Sequence, residues 1–276
     1  TWLTGIYMKN ELEGYITGGG ASPGGATWST CLKTIDGMNW EEVNVPAGRA
    51  LNGVYYINDE LGFMYGVSGL LLKTTDDGEN WMQIDPGTSL DLQDMVFTGD
   101  TTGFLIGSFY QNGNVILRTV DKGETWNSVY SDNQYGFEGY LNSIKFHGNQ
   151  HGYVVGNSGR ILWTSDGGES WEAVESFTSN SLYDILLLND SSGIVGGIYG
   201  TLASFGEYST SVPGSTIQNR QAVAYPNPFD QTLNFRFFNP SVQVVSFEIF
   251  DLTGRRIYRD RKHLQQGTVN YQPGQI

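Results

Sequence analysis

The chain is poor in cysteine, in positive charge and in long apolar runs, and each shortage closes off a class of protein. Cys31 is the only cysteine in 276 residues, so no internal disulfide can form. Its surroundings, "TWSTCLKT", read as a strand, which predicts a buried free thiol. No apolar stretch reaches the roughly 18 residues of a membrane-spanning helix, so no membrane span is expected. Lys and Arg total 15 against 29 Asp and Glu, a net charge of −14. The imbalance is local. Residues 1–212 hold 8 basic and 25 acidic side chains, a charge of −17, whereas residues 213–276 hold 7 and 4. An acidic body of this size repels phosphate backbones, which argues against nucleic acid as a partner and suits solubility outside a cell. Dinucleotide-binding, P-loop, EF-hand and nucleophile-elbow patterns are also missing, and neither a cofactor nor a metal is expected. His147 and His151 have a spacing that binds metal on a helix, but "FHGNQHG" is a strand-to-strand turn, so solvated turn residues are expected.

What the chain does have is glycine, 37 residues, and aromatic side chains, 13% of the total. That is the profile of an all-β protein with tight turns and aromatic-rich strands. It also has a repeat. "TIDGMNW" (34–40), "TTDDGENW" (74–81), "TVDKGETW" (119–126) and "TSDGGESW" (164–171) are one box written four times, the first copy a residue short. The box tryptophans Trp40, Trp81, Trp126 and Trp171 lie 41, 45 and 45 residues apart, the length of a four-stranded propeller blade. A second signal runs through five units. Leu3, Leu51, Leu92, Leu141 and Leu182 each stand 11 residues before a Gly followed by an aromatic or aliphatic residue, from Gly14-Tyr15 to Gly193-Ile194. In the fourth unit "LNSIKF", "YVVG", "RILWTS" and "WEAV" supply four strands, with the box as the last hairpin turn. The fifth unit has no tryptophan box.

Within the box, Asp36, Asp76, Asp121 and Asp166 are placed to accept hydrogen bonds from backbone N–H groups of their own turns. Gly168 suits a positive φ, and the Trp is large enough to pack on adjoining strands or on the next blade. Four equivalent carboxylates spread around a ring cannot serve one reaction centre, so the box reads as a turn. The pattern S/T-x-D-x-G-x-x-W resembles the Asp-box, or BNR repeat, of β-propellers. The longer stretch "GNSGRILWTSDGGESW" is most similar to the photosystem II assembly factor type of propeller. Sialidases and xyloglucan-hydrolysing enzymes share the box, and there it lies away from the active centre. The resemblance covers about residues 1–209.

A sialidase would need an arginine triad, yet residues 1–212 hold three arginines, Arg49, Arg118 and Arg160, none in such a motif. Ordinary surface arginines are expected. Another glycoside hydrolase would need two opposed carboxylates about 5–10 Å apart. Asp94 and Asp184, two residues into the innermost strands of their units, are the available catalytic pair, but a whole blade separates them. Long loops on the opposite face from the boxes point to a ligand-binding side: 18–28, 107–114 and 129–140. There Tyr110, Asn112, Tyr135, Phe137 and Tyr140, with Asn133, are placed to stack on a sugar or grip a peptide. Alternatively the aromatics fold inward and anchor their own loops.

After Phe205 a polar stretch, with 210–221 as linker, leads into "YPNPF", "LNFRF" and "VSFEIFDLTGRRIYR". These stretches resemble the C-terminal sorting domain of type IX secretion cargo. The resemblance implies a small immunoglobulin-like β-sandwich over 222–276, addressed to the type IX machinery and so to the outside or surface of a Gram-negative bacterium. The domain stops at "YQPGQI" and reads as incomplete. Thr1 opens directly into the repeat, as in a processed product or a fragment. The expected fold is therefore an all-β propeller of five four-stranded units over 1–209, compatible with a ring of six or seven, followed by that sandwich. The expected function is a non-catalytic binding or scaffold module for a glycan or protein ligand. A carbohydrate-active enzyme and an envelope assembly factor are the alternatives.

Overall fold

The computed structural model describes residues 2–22, 25, 27–109, 113–132, 139–176, 178–190 and 192–205, and the C-terminal strands. Each unit folds as one antiparallel sheet in chain order. The first contains β1 (Trp2–Met8), β2 (Gly14–Ala21), β3 (Thr27–Thr34) and β4 (Glu41–Glu42). The second contains β5 (Leu51–Tyr56), β6 (Gly62–Gly66), β7 (Leu71–Thr74) and β8 (Met82–Ile84). The third contains β9 (Asp91–Phe97), β10 (Gly103–Phe109), β11 (Gly113–Thr119) and β12 (Asn127–Asp132). The fourth contains β13 (Leu141–His147), β14 (His151–Gly156), β15 (Ile161–Thr164) and β16 (Glu172–Ala173). The fifth has three strands, β17 (Leu182–Asn189), β18 (Ser192–Gly197) and β19 (Leu202–Phe205). Beyond them β20 (Ala222–Tyr225), β21 (Asn234–Asn239) and β24 (Gly267–Tyr271) form one small sheet. The strands β22 (Gln243–Phe250) and β23 (Arg256–Leu264) pair separately. The expected turns at 226–229 and 251–254, and the linker, lie outside the described residues.

The first strands of the five sheets lie side by side, β1 on β5, β5 on β9, β9 on β13 and β13 on β17, which is the arrangement of propeller blades. A four-stranded sheet is too small to bury its own faces, so the core forms between blades. The described apolar residues fall into four clusters, one per blade junction. The repeated leucine belongs to this packing. Leu51, Leu92, Leu141 and Leu182 are wholly buried against the preceding blade, whereas Leu3, in the first blade, is 57% exposed. Full burial of such a side chain contributes about 2–3 kcal/mol.

The Gly-aromatic signal and the box are two halves of one junction. Tyr15, Phe63 and Phe104, each following its β2-type glycine, press on the box glycine of the next blade, Gly78, Gly123 and Gly168. A Cβ on any of the three would overlap the ring. Their φ values of 80°, 76° and 76° also require glycine. The box tryptophan closes the seat from the side. Trp171 meets Phe104 and Phe146 edge-on at 6.2 and 5.7 Å, and Trp126 meets Phe63 and Phe97 in the same way. The tryptophans thus pack towards the preceding blade, not the next one. At the fifth blade, which lacks a box, Tyr153 meets Phe205 instead, with ring centres 4.9 Å apart and planes tilted by 52°.

Each box carboxylate is spent within its own turn. Asp166 Oδ1 accepts the Ser170 N–H at 3.1 Å and the Thr164 hydroxyl at 2.7 Å, and its Oδ2 accepts the Ser170 hydroxyl at 2.6 Å. Asp36, Asp76 and Asp121 repeat the pattern with Asn39, Asn80 and Thr125. These bonds favour the charged form, the hydroxyls of Ser170 and Thr125 contributing most, and hold Asp166 and Asp121 down to about 2. An aspartate of the unfolded chain titrates near pH 3.9, so the boxes stabilise the fold above that pH. That contribution is lost as pH falls from about 4 to 2. In urea titrations over this range, the midpoint of an Asp121→Asn/Asp166→Asn variant is expected to fall less steeply than that of the parent. Identical slopes would remove the boxes as a source of acid sensitivity.

Candidate functional site

The innermost strands converge on the propeller axis, and each carries a bulge in the same place. Pairing slips immediately after the repeated leucine, between Leu3 and Gly5, Leu51 and Gly53, Leu141 and Ser143, and Leu182 and Asp184. In β9 the slip falls at Gln93. An extra residue at a bulge is unpaired and redirects the side chains around it. Three of the bulged residues reach sideways and tie their blade to the next. The Thr4 hydroxyl donates to the Leu51 carbonyl at 2.6 Å, Asn52 Nδ2 to that of Leu92 at 2.8 Å, and Asn142 Nδ2 to that of Leu182 at 2.7 Å.

The residues after the bulge, Gly5, Gly53, Asp94, Ser143 and Asp184, line a polar pocket of about 350 Å³ at the axis. Ser143 Oγ lies 3.0 Å from Asp94 Oδ2 and 2.8 Å from Asp184 Oδ1. The two carboxylate oxygens are therefore less than about 6 Å apart, no farther than the carboxylate pairs of glycoside hydrolases, which stand roughly 5–10 Å apart. The expectation that an intervening blade keeps them apart is corrected: that blade supplies the serine that joins them. Lys145 Nζ sits 2.7 Å from Asp94 Oδ2, 3.1 Å from Ser143 Oγ and 3.9 Å from Asp184 Oδ1.

The two aspartates differ in what remains free. Asp94 Oδ2 takes Lys145, Ser143 and the Ile144 N–H at 3.0 Å. Its Oδ1 takes the Met95 N–H at 2.9 Å and faces the Tyr65 hydroxyl at 3.5 Å. Burial pushes the Tyr65 phenol well up, and the neighbouring Asp94 charge adds to this. Asp184 Oδ1 accepts the Ile185 N–H and shares with Asp94 the single proton of the Ser143 hydroxyl, while its side chain is 74% exposed and Oδ2 has no partner among the described residues.

Of the loop residues named from the sequence, Tyr110, Asn112, Asn133, Tyr135 and Phe137 lie outside the described residues. Tyr140 is half-buried at the entrance to β13, and its carbonyl accepts the Asn157 N–H. The arginines do not behave as surface residues in general. Arg49 is exposed and donates to the Ser68 carbonyl at 3.1 Å. Arg160 is half-buried at the third blade junction, paired with Asp132 and donating to the Tyr130 hydroxyl at 2.6 Å. His147 is paired too, with Asp190 of the fifth blade at 2.7 Å. Among the described residues no group of three acidic, His or Cys side chains is placed to hold a metal ion.

Residues 80–181 match the family described as "Photosynthesis system II assembly factor YCF48", and residues 223–273 match "Secretion system C-terminal sorting domain". One chain thus carries a stretch similar to the YCF48 repeat model and, after it, a stretch that matches the sorting-domain model. The sorting domain marks the protein as secreted or held at the cell surface of a Gram-negative bacterium. Among solved structures, YCF48 from Cyanidioschyzon merolae is 16% identical, over 87% of this chain and 80% of that one, with a TM-score of 0.55. An ancestral GH74 enzyme is 13% identical over 96% of this chain and 38% of its own, with a TM-score of 0.55. The WD40 propeller domain of Doa1 is 11% identical over 96% and 83%, with a TM-score of 0.53. Identities this low establish the propeller fold alone. No curated protein matches the chain.

Proposed function

We propose that the exported propeller is a non-catalytic binding module whose ligand enters the axial pocket from the loop face. The occupancy of Asp94 carries this reading. A hydrolytic pair needs one carboxyl to give a proton and the other to take one or to attack. Both oxygens of Asp94 are engaged, by a lysine, a serine, a tyrosine and two backbone N–H groups, which leaves no position for a substrate proton. The groups left open are those of a recognition surface: Asp184 Oδ2 and the exposed Tyr183 ring. The name of the matching repeat family, an assembly factor, favours a protein ligand over a glycan.

The short separation of Asp94 and Asp184 favours one rival, a glycoside hydrolase. Both readings are separated by incubating the protein with sialylated glycans, xyloglucan and other polysaccharides, and by probing immobilised glycans and peptides. Retention of a ligand without release of reducing sugar is expected. Hydrolysis lost in both Asp94→Asn and Asp184→Asn would overturn the binding reading.

A further inference from the structure

Three times among the described residues a cation is held by the same two groups, a carboxylate and a tyrosine ring. Lys9 Nζ lies 2.6 Å from Asp77 and 5.0 Å from the Tyr56 ring centre. Lys33 pairs with the same Asp77 at 3.4 Å and lies 5.3 Å from the Tyr15 ring. Arg160 pairs with Asp132 and lies 5.9 Å from the Tyr130 ring. The axial pocket contains the same two groups, Asp184 and Tyr183, side by side on its wall. Neighbours on a flat strand point to opposite faces; the bulge between Leu182 and Asp184 lets both line one pocket. Among the described residues no cation lies closer to this pair than Lys145, whose link to Asp184 is a long one. Lys145 is held at 2.7 Å by Asp94 and stays 3.9 Å from Asp184.

We propose that the axial pocket takes one cationic side chain, arginine or lysine, of a partner polypeptide, with Asp184 as counter-ion and Tyr183 as the ring beside it. This rests on the binding reading above and specifies its ligand. Charge supports it at two ranges. Lys145 offsets Asp94, so Asp184 leaves the pocket with a net negative charge. The −17 of residues 1–212 draws basic partners towards the body at low salt. A cation against an aromatic face and a carboxylate is favoured over a neutral group of the same shape.

The test is a calorimetric titration of the full chain, at low and at physiological salt, with two blocked pentapeptides, Gly-Gly-Arg-Gly-Gly and its citrulline counterpart. Citrulline keeps the shape and removes the charge. The arginine peptide is expected to bind at least tenfold more tightly, with the advantage shrinking at higher salt. Asp184→Asn is expected to erase that advantage, and Tyr183→Ala to weaken binding more than Tyr183→Phe, all with unchanged melting temperature. Equal binding of the two peptides, absence of binding by both, or an Asp184→Asn variant that still prefers arginine would each overturn the assignment. If the cationic peptide fails while an immobilised neutral glycan or peptide is retained, the binding reading stands and only its ligand class falls. If nothing is retained, both fall.

Discussion

Gly168→Ala is expected to destabilise the protein by about 3 kcal/mol or more, a large share of the stability of an ordinary domain. Two costs combine. At φ 76° a side chain is strained by about 1–2 kcal/mol, and the new methyl group must also displace the Phe104 ring. That ring has nowhere to go: it is fully buried, stacked on Phe146 at 4.5 Å and met edge-on by Trp171. Overpacking of this kind costs about 1–3 kcal/mol. Gly148→Ala is the matched control. It has a comparable φ of 61°, but no atom lies within 4 Å of its would-be Cβ, so only the backbone cost applies. Urea denaturation of the two variants measures the difference. Equal losses would mean that the fit of ring into glycine contributes nothing to the junction.

The second large effect is expected at the ion pair between the third and fourth blades. Arg160→Met or Asp132→Leu alone should cost about 3–5 kcal/mol, because each leaves an opposite charge buried without its partner. The side chains are 11% and 17% exposed, and the pair is embedded in further bonds. Tyr130 donates to Asp132 at 2.7 Å, Asn114 Nδ2 donates to Asp132 at 2.9 Å, and Arg160 donates to the Gly139 carbonyl at 3.3 Å. The double variant should lose less than either single one, since removing both charges removes the desolvation cost with the attraction. A double-mutant cycle reads this directly. Single losses below 1 kcal/mol would show the pair behaving as an exposed bridge.

The propeller was legible because its signals are local and repeated. A boxed turn every 41 to 45 residues and a leucine 11 residues before each glycine of the second signal need no knowledge of what touches what. The partners of those signals were not legible. That Phe104 needs Gly168, or Phe63 needs Gly123, depends on how one blade leans on the next, and 64 and 60 residues of sequence, well over a blade, separate the partners. Of the axial site, Asp94 and Asp184 were legible as a pair, but Ser143, Lys145 and Tyr183, and the closeness of the two carboxylates, were not, for a related reason. Asp94, Ser143 and Asp184 occupy equivalent repeat positions, but comparing repeats shows only that these residues differ from blade to blade. Their convergence comes from the common bulge and the shared axis, which no single unit displays. Arg160 was misjudged because its partner, Asp132, lies in the preceding unit, and pairing across a junction leaves no periodic trace. In the C-terminal part, alternation in "LNFRF" and "VSFEIF" announced β21 and β22.

Each described junction from the first blade to the fourth joins an aromatic ring of one blade to a glycine of the following one, so its two halves are supplied by neighbours and never by the same sheet. A gene segment encoding one whole unit therefore carries a ring for its successor and a seat for its predecessor. Copying such a segment in tandem recreates both contacts without any compensating change. The same logic names where the series can end. A unit that has lost its box, as the fifth has, breaks the rule at its own entrance, and Phe205 takes the place of the missing seat by meeting Tyr153 directly. Lineages of this architecture can thus gain or lose units by simple duplication and deletion, with selection acting on the junctions rather than on the number of blades.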